Sequence, residues 1–345
     1  MSILRTRGEA IRKYILNSVG KYPIDITRVT AEKFDISRQA VNKHLKRLVE
    51  EESLILHGKT KSRVYKLRPL LDCSETFSIT SKLAEDVIWR NKVEPRMGKM
   101  PDNVNDIWHY GFTEMFNNAI DHSEGKVILI HLLISATDTQ IALYDNGIGI
   151  FKKIQKELDL LDERHSVLEL AKGKLTTDPE RHTGEGIFFT SRMFDDFQIL
   201  SGETYFSHKF GEQEDWILES DKFSSGTAVW MRLNNHTSRN TKKIFDKFTS
   251  GDEFGFNKTV VPVKLAQYGD DKLVSRSQAK RLISRFDRFK IVILDFKEVD
   301  SIGQAFADEV FRVTANRFPE TELSEINTNS DVKRMILRAK SNMKP

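Results

Sequence analysis

Cysteine occurs once in the 345 residues, at Cys73. A single thiol cannot close an internal disulfide, and without a cysteine companion at ligand spacing it excludes a thiolate zinc site. The chain therefore reads as one for a reducing compartment, with Cys73 an inert thiol. Proline and glycine are sparse, at 8 and 18, which excludes collagen-like and low-complexity architectures. No stretch approaches the roughly 18 consecutive apolar residues of a membrane span, and the opening MSILRTRGEAIRKY lacks the apolar core of a secretory signal. The expectation is a cytoplasmic protein with no membrane partner. Charge, in contrast, is abundant at 30%, beside 39% hydrophobic residues. That balance is soluble and globular, and the length suits two or three domains.

The charge is unevenly spread. Residues 1–70 hold 16 Lys+Arg against 7 Asp+Glu, a net +9, so a total of +4 leaves −5 on the rest. Concentrated positive charge is the footprint expected of nucleic-acid binding. Within this segment Ile11, Tyr14, Ile15 and Val19 recur at helical spacing, and a second helix is expected from Thr27 to Phe34. Asp35-Ile36-Ser37 then makes a turn, with Ser37 placed to cap a third helix whose Ala40, Val41, Leu45 and Leu48 face inward. In helix-turn-helix motifs the second helix of the pair enters the DNA major groove. Here its outward residues are Arg38, Gln39, Asn42, Lys43 and Lys46, types that read bases and phosphates. The strands LIL and VYKL follow, joined by a turn that carries Lys59, Lys61 and Arg63. The arrangement resembles the winged helix-turn-helix of bacterial transcription regulators. It implies double-stranded DNA as a partner and a possible homodimer; a protein-docking module is the alternative.

Residues 75–100 are expected to form a helix and a polar connector. From Asp106, the stretch IWHYGFTEMFNNAIDH gives a packed helix on which Glu114, Asn118, Asp121 and His122 fall near one another. KVILIHLLI and QIALYDN read as strands, and the second runs into DNGIGI. A carboxylate at a strand end, followed by two alternating glycines, lets the backbone approach a ligand closely. A second glycine pair, Gly184 and Gly186, opens a helix whose free N–H groups can hold phosphates.

Taken in order, Glu-x-x-x-Asn on a helix, Asp-x-Gly-x-Gly after a strand, Gly-x-Gly at a helix start and Gly226-Thr227 entering the strand TAVWMRL resemble the GHKL ATPase superfamily over residues 106–235. Gyrase, sensor histidine kinases and anti-sigma-factor serine kinases belong to it, and TEMFNNAIDH most resembles the last of these. The resemblance implies a Bergerat-type α/β sandwich that binds ATP with Mg²⁺. Asn118 would hold the metal and Glu114 would act as base. Asp145 would bind the adenine amino group and Asp121, on the helix with Glu114 and Asn118, would also bind the cofactor, while Gly147 and Gly149 would let the backbone approach the base. Gly184 and Gly186 would contact phosphates, and Thr227 would support the adenine end. Residues 151–183 would form a lid, with Lys172, Lys174, Arg181 and His182 as candidates for the terminal phosphate.

After a break at Gly251-Asp252, strands and helices alternate as in a small α/β layer fold, with strands near 259–265 and IVILDF and helices at 275–286 and 303–318. LDFKEVDSIGQAFADEVFRV resembles STAS domains, in particular STAS-like domains fused to GHKL ATPases. In the STAS antagonists that serine kinases phosphorylate, the loop after this strand reads Asp-Ser-Ser-Gly. Here it is Asp300-Ser301-Ile302-Gly303, so the acceptor hydroxyl is replaced by isoleucine and Ser301 stands one place earlier, as a possible phosphoacceptor or a helix cap.

The expectation is a multidomain α+β chain: a winged helix over 1–70, a GHKL domain over 75–240 and a STAS-like domain over 255–345. Its expected function is an ATP-dependent DNA-binding regulator with a possible protein partner at the STAS-like domain. A serine kinase acting on a STAS partner or Ser301, or a signalling or defence ATPase, are the alternatives.

Overall fold

Ser37 begins the third helix by accepting a hydrogen bond from the Ala40 N–H at 3.2 Å, as an N-cap does. The computed structural model describes residues 3–59, 63–175, 184–211, 215–249, 256–267 and 272–341. Three helices open it, α1 (Ile3–Ser18), α2 (Ile26–Phe34) and α3 (Arg38–Glu50), followed by the antiparallel pair β1 (Leu54–His57) and β2 (Val64–Leu67). Ile11, Ile15, Val19, Ile26, Val41, Leu45, Leu48, Leu54 and Tyr65 bury one another in a core of their own. The Tyr65 N–H donates to the Pro23 carbonyl at 2.9 Å, which ties the hairpin to the turn before α2.

The middle of the chain is an antiparallel sheet of order β3-β4-β5-β7-β6, built from β3 (Leu71–Ser78), β4 (Val127–Ile134), β5 (Asp138–Asp145), β6 (Asp196–Lys209) and β7 (Asp215–Asn234). β3 is a difference from the sequence reading, which opens this region with a helix and a connector. The helices α4 (Glu85–Ile88) and α5 (Glu94–Met97) come only after it, joined by a π-wound turn at Trp89–Val93. In the β4–β5 register Ile130 pairs with Leu143 and Leu132 with Ile141. These four and Ile128 are buried on one face of the sheet.

Against that face lies α6 (Asp102–His122), which buries Val104, Ile107, Trp108, Phe112, Met115, Phe116 and Ala119, the three- and four-residue spacing of a core-facing stripe. Between β5 and β6 come α7 (Ile150–Glu157), α8 (Glu163–Lys172) and α9 (Gly186–Met193), and α10 (Thr241–Phe248) follows β7.

The C-terminal part has a parallel sheet of order β10-β9-β8, from β8 (Lys258–Pro262), β9 (Ile291–Asp295) and β10 (Glu322–Ile326). α11 (Arg276–Ile283) connects β8 to β9. The helix expected over 303–318 is present as α12 (Gln304–Ala307) and α13 (Thr314–Arg317) with a π-wound stretch, Asp308–Val313, between them, and α14 (Ser330–Ser341) follows β10. One continuous cluster of buried apolar side chains runs from Ile88 to Ala339, so the middle and C-terminal parts share a core. Phe256 is a joint in it, with its ring 4.5 Å from Phe188, 4.9 Å from Phe189 and 5.5 Å from Phe289. Among the described residues no helix is long and apolar enough to cross a membrane.

Candidate functional site

Glu114 and Asn118 are one helical turn apart on α6, so their side chains project to the same side of the helix. That side forms one wall of a cavity of about 280 Å³, near the lower end of small-molecule sites. Glu114, Asn118, Asp145, Gly184, Gly186 and Thr227 all line it, as do His122 and Lys153. Its apolar wall comes from Met115, Ala119, Leu143, Ile154 and Val229, among others. The cavity thus offers apolar faces for a flat ring, a carboxylate at one end, and the start of a helix together with an acid and an amide at the other.

Asp145 ends β5. Its Oδ1 accepts from the Gly147 N–H at 2.8 Å and from the Thr227 N–H at 3.2 Å. Burial pushes its carboxyl above the usual range, against the pull of those two backbone bonds. Thr227 Oγ1 in turn accepts from the Ile150 N–H at 3.0 Å, so one residue joins β7 to both the Asp145 turn and the start of α7. Gly147 and Gly149 belong to the turn behind the carboxylate. A Cβ on Gly147 would collide with the Ser123 carbonyl, which explains the glycine by contact with the end of α6.

At the other end, a Cβ on Gly186 would collide with Glu114 Oε2, so the Gly-x-Gly backbone and the α6 acid are in direct contact. Glu185, between the two glycines, has its carboxyl raised by burial, with Lys174 opposing the shift. Tyr110, on α6, is held neutral first by burial and then by Glu114 and Glu185. Sequence reasoning misses Tyr110, Lys153 and Glu185. Only Glu185 carries a signal, its place inside the glycine pair.

Asp121 is exposed and does not join the cavity wall. The lining residues of α6 are Glu114, Met115, Asn118, Ala119, His122 and, at the C-cap, Ser123. At about 100° per residue they sweep one side of the helix, and Asp121 falls just past its Glu114 edge, toward solvent. Of the terminal-phosphate candidates, Lys172 is corrected. Its side chain is 0% exposed and its ammonium is consumed by Glu169 Oε1 at 2.7 Å and by the carbonyls of Arg281 and Ser284, each at 3.0 Å. Lys174 donates to the Arg288 carbonyl at 2.8 Å. Arg181 and His182 lie outside the described residues.

On α3, Arg38, Gln39, Asn42, Lys43 and Lys46 are all exposed, as are Lys59 and Arg63 at the hairpin; Lys61 lies outside the described residues. Ser301 is exposed as well. It does not cap the following helix, because the N-cap position of α12 is Gly303. Ile302 is buried and bridges to Leu273, so the side chain that replaces the expected hydroxyl is part of the core.

No curated protein matches the chain. Residues 278–333, from within α11 to the start of α14, match a STAS-like domain of unknown function (DUF4325). The chain therefore carries a STAS-like domain at its C-terminal end, joined through a shared core to the part that holds the cavity.

Proposed function

We propose that this chain is an ATP-dependent DNA-binding regulator, in which Mg·ATP in the cavity biases the basic N-terminal module and the STAS-like domain. The supporting observation is convergence: six residues selected by motif, from Glu114 to Thr227, line one cavity. In this reading the apolar wall takes the adenine and Asp145 accepts its amino group. The start of α9 takes the phosphates, and Asn118 supplies an oxygen to Mg²⁺, which favours one or two protein oxygens shared with phosphates. Glu114 activates water for hydrolysis.

Incubation with Mg·ATP, following ADP release beside intact mass, tests this directly. The expected result is ADP release without added mass, lost in Glu114→Ala, and loss of Mg²⁺-dependent binding in Asn118→Ala. Unchanged affinity in Asn118→Ala sinks the assignment. A stable phosphate adduct would instead select a serine kinase, a reading favoured by the exposure of Ser301, which would be the first site to map.

DNA binding rests on the shared exposed side of Arg38, Gln39, Asn42, Lys43 and Lys46. Retention of duplex DNA is expected to fall steeply with salt, and Lys43→Ala to reduce the slope of log affinity against log salt by about one. Failure to retain duplex at low salt moves the module to protein docking, as in a signalling or defence ATPase.

A further inference from the structure

The segment from Glu169 to Leu175, the end of α8 and the residues after it, faces two ways. Leu170 and Leu175 line the cavity. Lys172 and Glu169, fully buried, face the STAS-like side. The Lys172 ammonium reaches the carbonyls of Arg281 and Ser284, in the last turn and at the C-cap of α11, where the helix dipole favours a cation. Arg285 returns the contact. Its Nη1 donates to Glu169 Oε2 at 3.0 Å and its Nη2 to the carbonyls of Gly173 and Lys174.

Arg288 Nη1 also donates to the Lys174 carbonyl at 3.0 Å, and Thr259 Oγ1 on β8 donates to the Lys172 carbonyl at 2.7 Å. On the cavity side, the Leu175 N–H donates to the Gly184 carbonyl at 3.0 Å. A Cβ on Gly184 would collide with the Leu175 carbonyl, so the two backbones are in contact. Buried charges join α8 to the STAS-like domain, and the next few residues join it to the first glycine of Gly-x-Gly.

We propose that this segment couples occupancy of the cavity to the seating of the STAS-like domain, with Lys172 and Arg285 as positioning residues. The proposal rests on the nucleotide reading above. Phosphates drawn to the start of α9 act on Gly184, and through Leu175 on the carbonyls that Arg285 and Arg288 hold. A buried ion pair does not give way by degrees, because a half-separated pair leaves charge unpaired in the interior. The contact is therefore made or broken, which gives the two arrangements that coupling requires. Coupling is reciprocal, so a loosened STAS-like domain must alter nucleotide affinity by the same factor that nucleotide alters its seating.

The experiment uses the full chain, with hydrogen exchange of residues 276–289 measured with and without saturating Mg·ADP or a non-hydrolysable Mg·ATP analogue, and affinity measured in parallel. In the wild type, nucleotide is expected to change exchange over 276–289. Arg285→Ala is expected to shift affinity by about 5- to 150-fold, the usual range of coupling, and to abolish that nucleotide-dependent change. Arg288→Ala, at an exposed site, serves as the milder variant if Arg285→Ala does not fold, and is expected to reduce both effects. A merely structural contact would change basal exchange and leave the nucleotide-dependent difference intact, and that result overturns the proposal. Nucleotide bound by the wild type with exchange over 276–289 unmoved also overturns it while sparing the nucleotide reading. Absence of any nucleotide binding by the wild type overturns both.

Discussion

Replacing Asp145 by alanine is expected to weaken adenine-nucleotide binding by about 10- to 150-fold, the range that corresponds to about 1.5–3 kcal/mol for a hydrogen bond to a charged group. Both backbone donors, Gly147 and Thr227, use Oδ1, and a carboxylate has acceptor capacity beyond two bonds. Alanine also strands those two N–H groups, so Asp145→Asn, which keeps an acceptor oxygen, is the control for fold. The pH dependence has a defined sign. Burial raises the Asp145 carboxyl from the ordinary value of 3.8, and the proposed contact with the adenine amino group calls for the ionised form. Affinity should therefore fall with decreasing pH before an ordinary carboxylate titrates.

The empty fold behaves in the opposite way. A group whose folded value is raised contributes stability that is fully present below its unfolded value and is lost as pH rises through the folded value. Between those two values acidification strengthens the empty protein while weakening the complex. Calorimetric titration with nucleotide across this window checks the affinity, and thermal unfolding of the empty protein at the same pH values checks the stability, each compared with Asp145→Asn. A wild-type affinity flat through the window would remove the ionised Asp145 from recognition, and an Asp145→Asn profile that falls in the same way would assign the pH response to another group.

The parts of the molecule legible in sequence are those whose cause is local. The Ser37 cap, the Glu114–Asn118 spacing on α6 and the carboxylate at the end of β5 each depend on residues within a turn of one another. β3 is not legible because its inward face is Leu71, Cys73, Glu75 and Phe77, and a glutamate interrupts the apolar alternation. The structure accommodates it by bonding Glu75 to Lys92 and Arg96, each at 2.7 Å, and those bonds hold its carboxyl below the usual range. Both partners sit beyond the strand, out of reach of a period-two reading.

Lys172 escapes the sequence for a related reason. In LELAKGK it has the look of a solvated lysine, and its burial depends on Arg281, Ser284 and Arg285, distant in the chain. Burial works against the ionisation of Glu169, yet Lys172, His165 and Arg285 outweigh it and hold the carboxyl at about 2. Burial pulls Lys172 downward too, and Glu169 opposes that pull without cancelling it. A sequence shows the two charges three residues apart but not the domain that closes over them.

Gly226→Ala is expected to cost at least about 2 kcal/mol of stability, from a left-handed backbone penalty of about 1–2 kcal/mol together with a steric conflict. Gly226 has φ +84°, and a Cβ there would collide with the Asp145 carbonyl oxygen and lie 2.9 Å from the Gly147 nitrogen. Neither is the end of a flexible side chain, so the backbone of β5 or β7 must move. Movement would part Thr227 from the Asp145 carboxylate and Ile150 from the Thr227 hydroxyl, the two bonds that hold this end of the cavity together. Gly98 provides the comparison, because it has φ +70° with nothing within 4 Å of its added Cβ. Gly98→Ala should therefore show the backbone penalty alone. At about 2–4 °C per kcal/mol for domains of this size, Gly226→Ala should lower the melting temperature by about 4 °C or more, visibly beyond Gly98→Ala, and should weaken nucleotide binding where Gly98→Ala leaves it unchanged. Equal losses in the two variants would mean that the 226 turn relaxes without cost. The close approach of that turn would then not be what fixes the Asp145 carboxylate in the cavity wall.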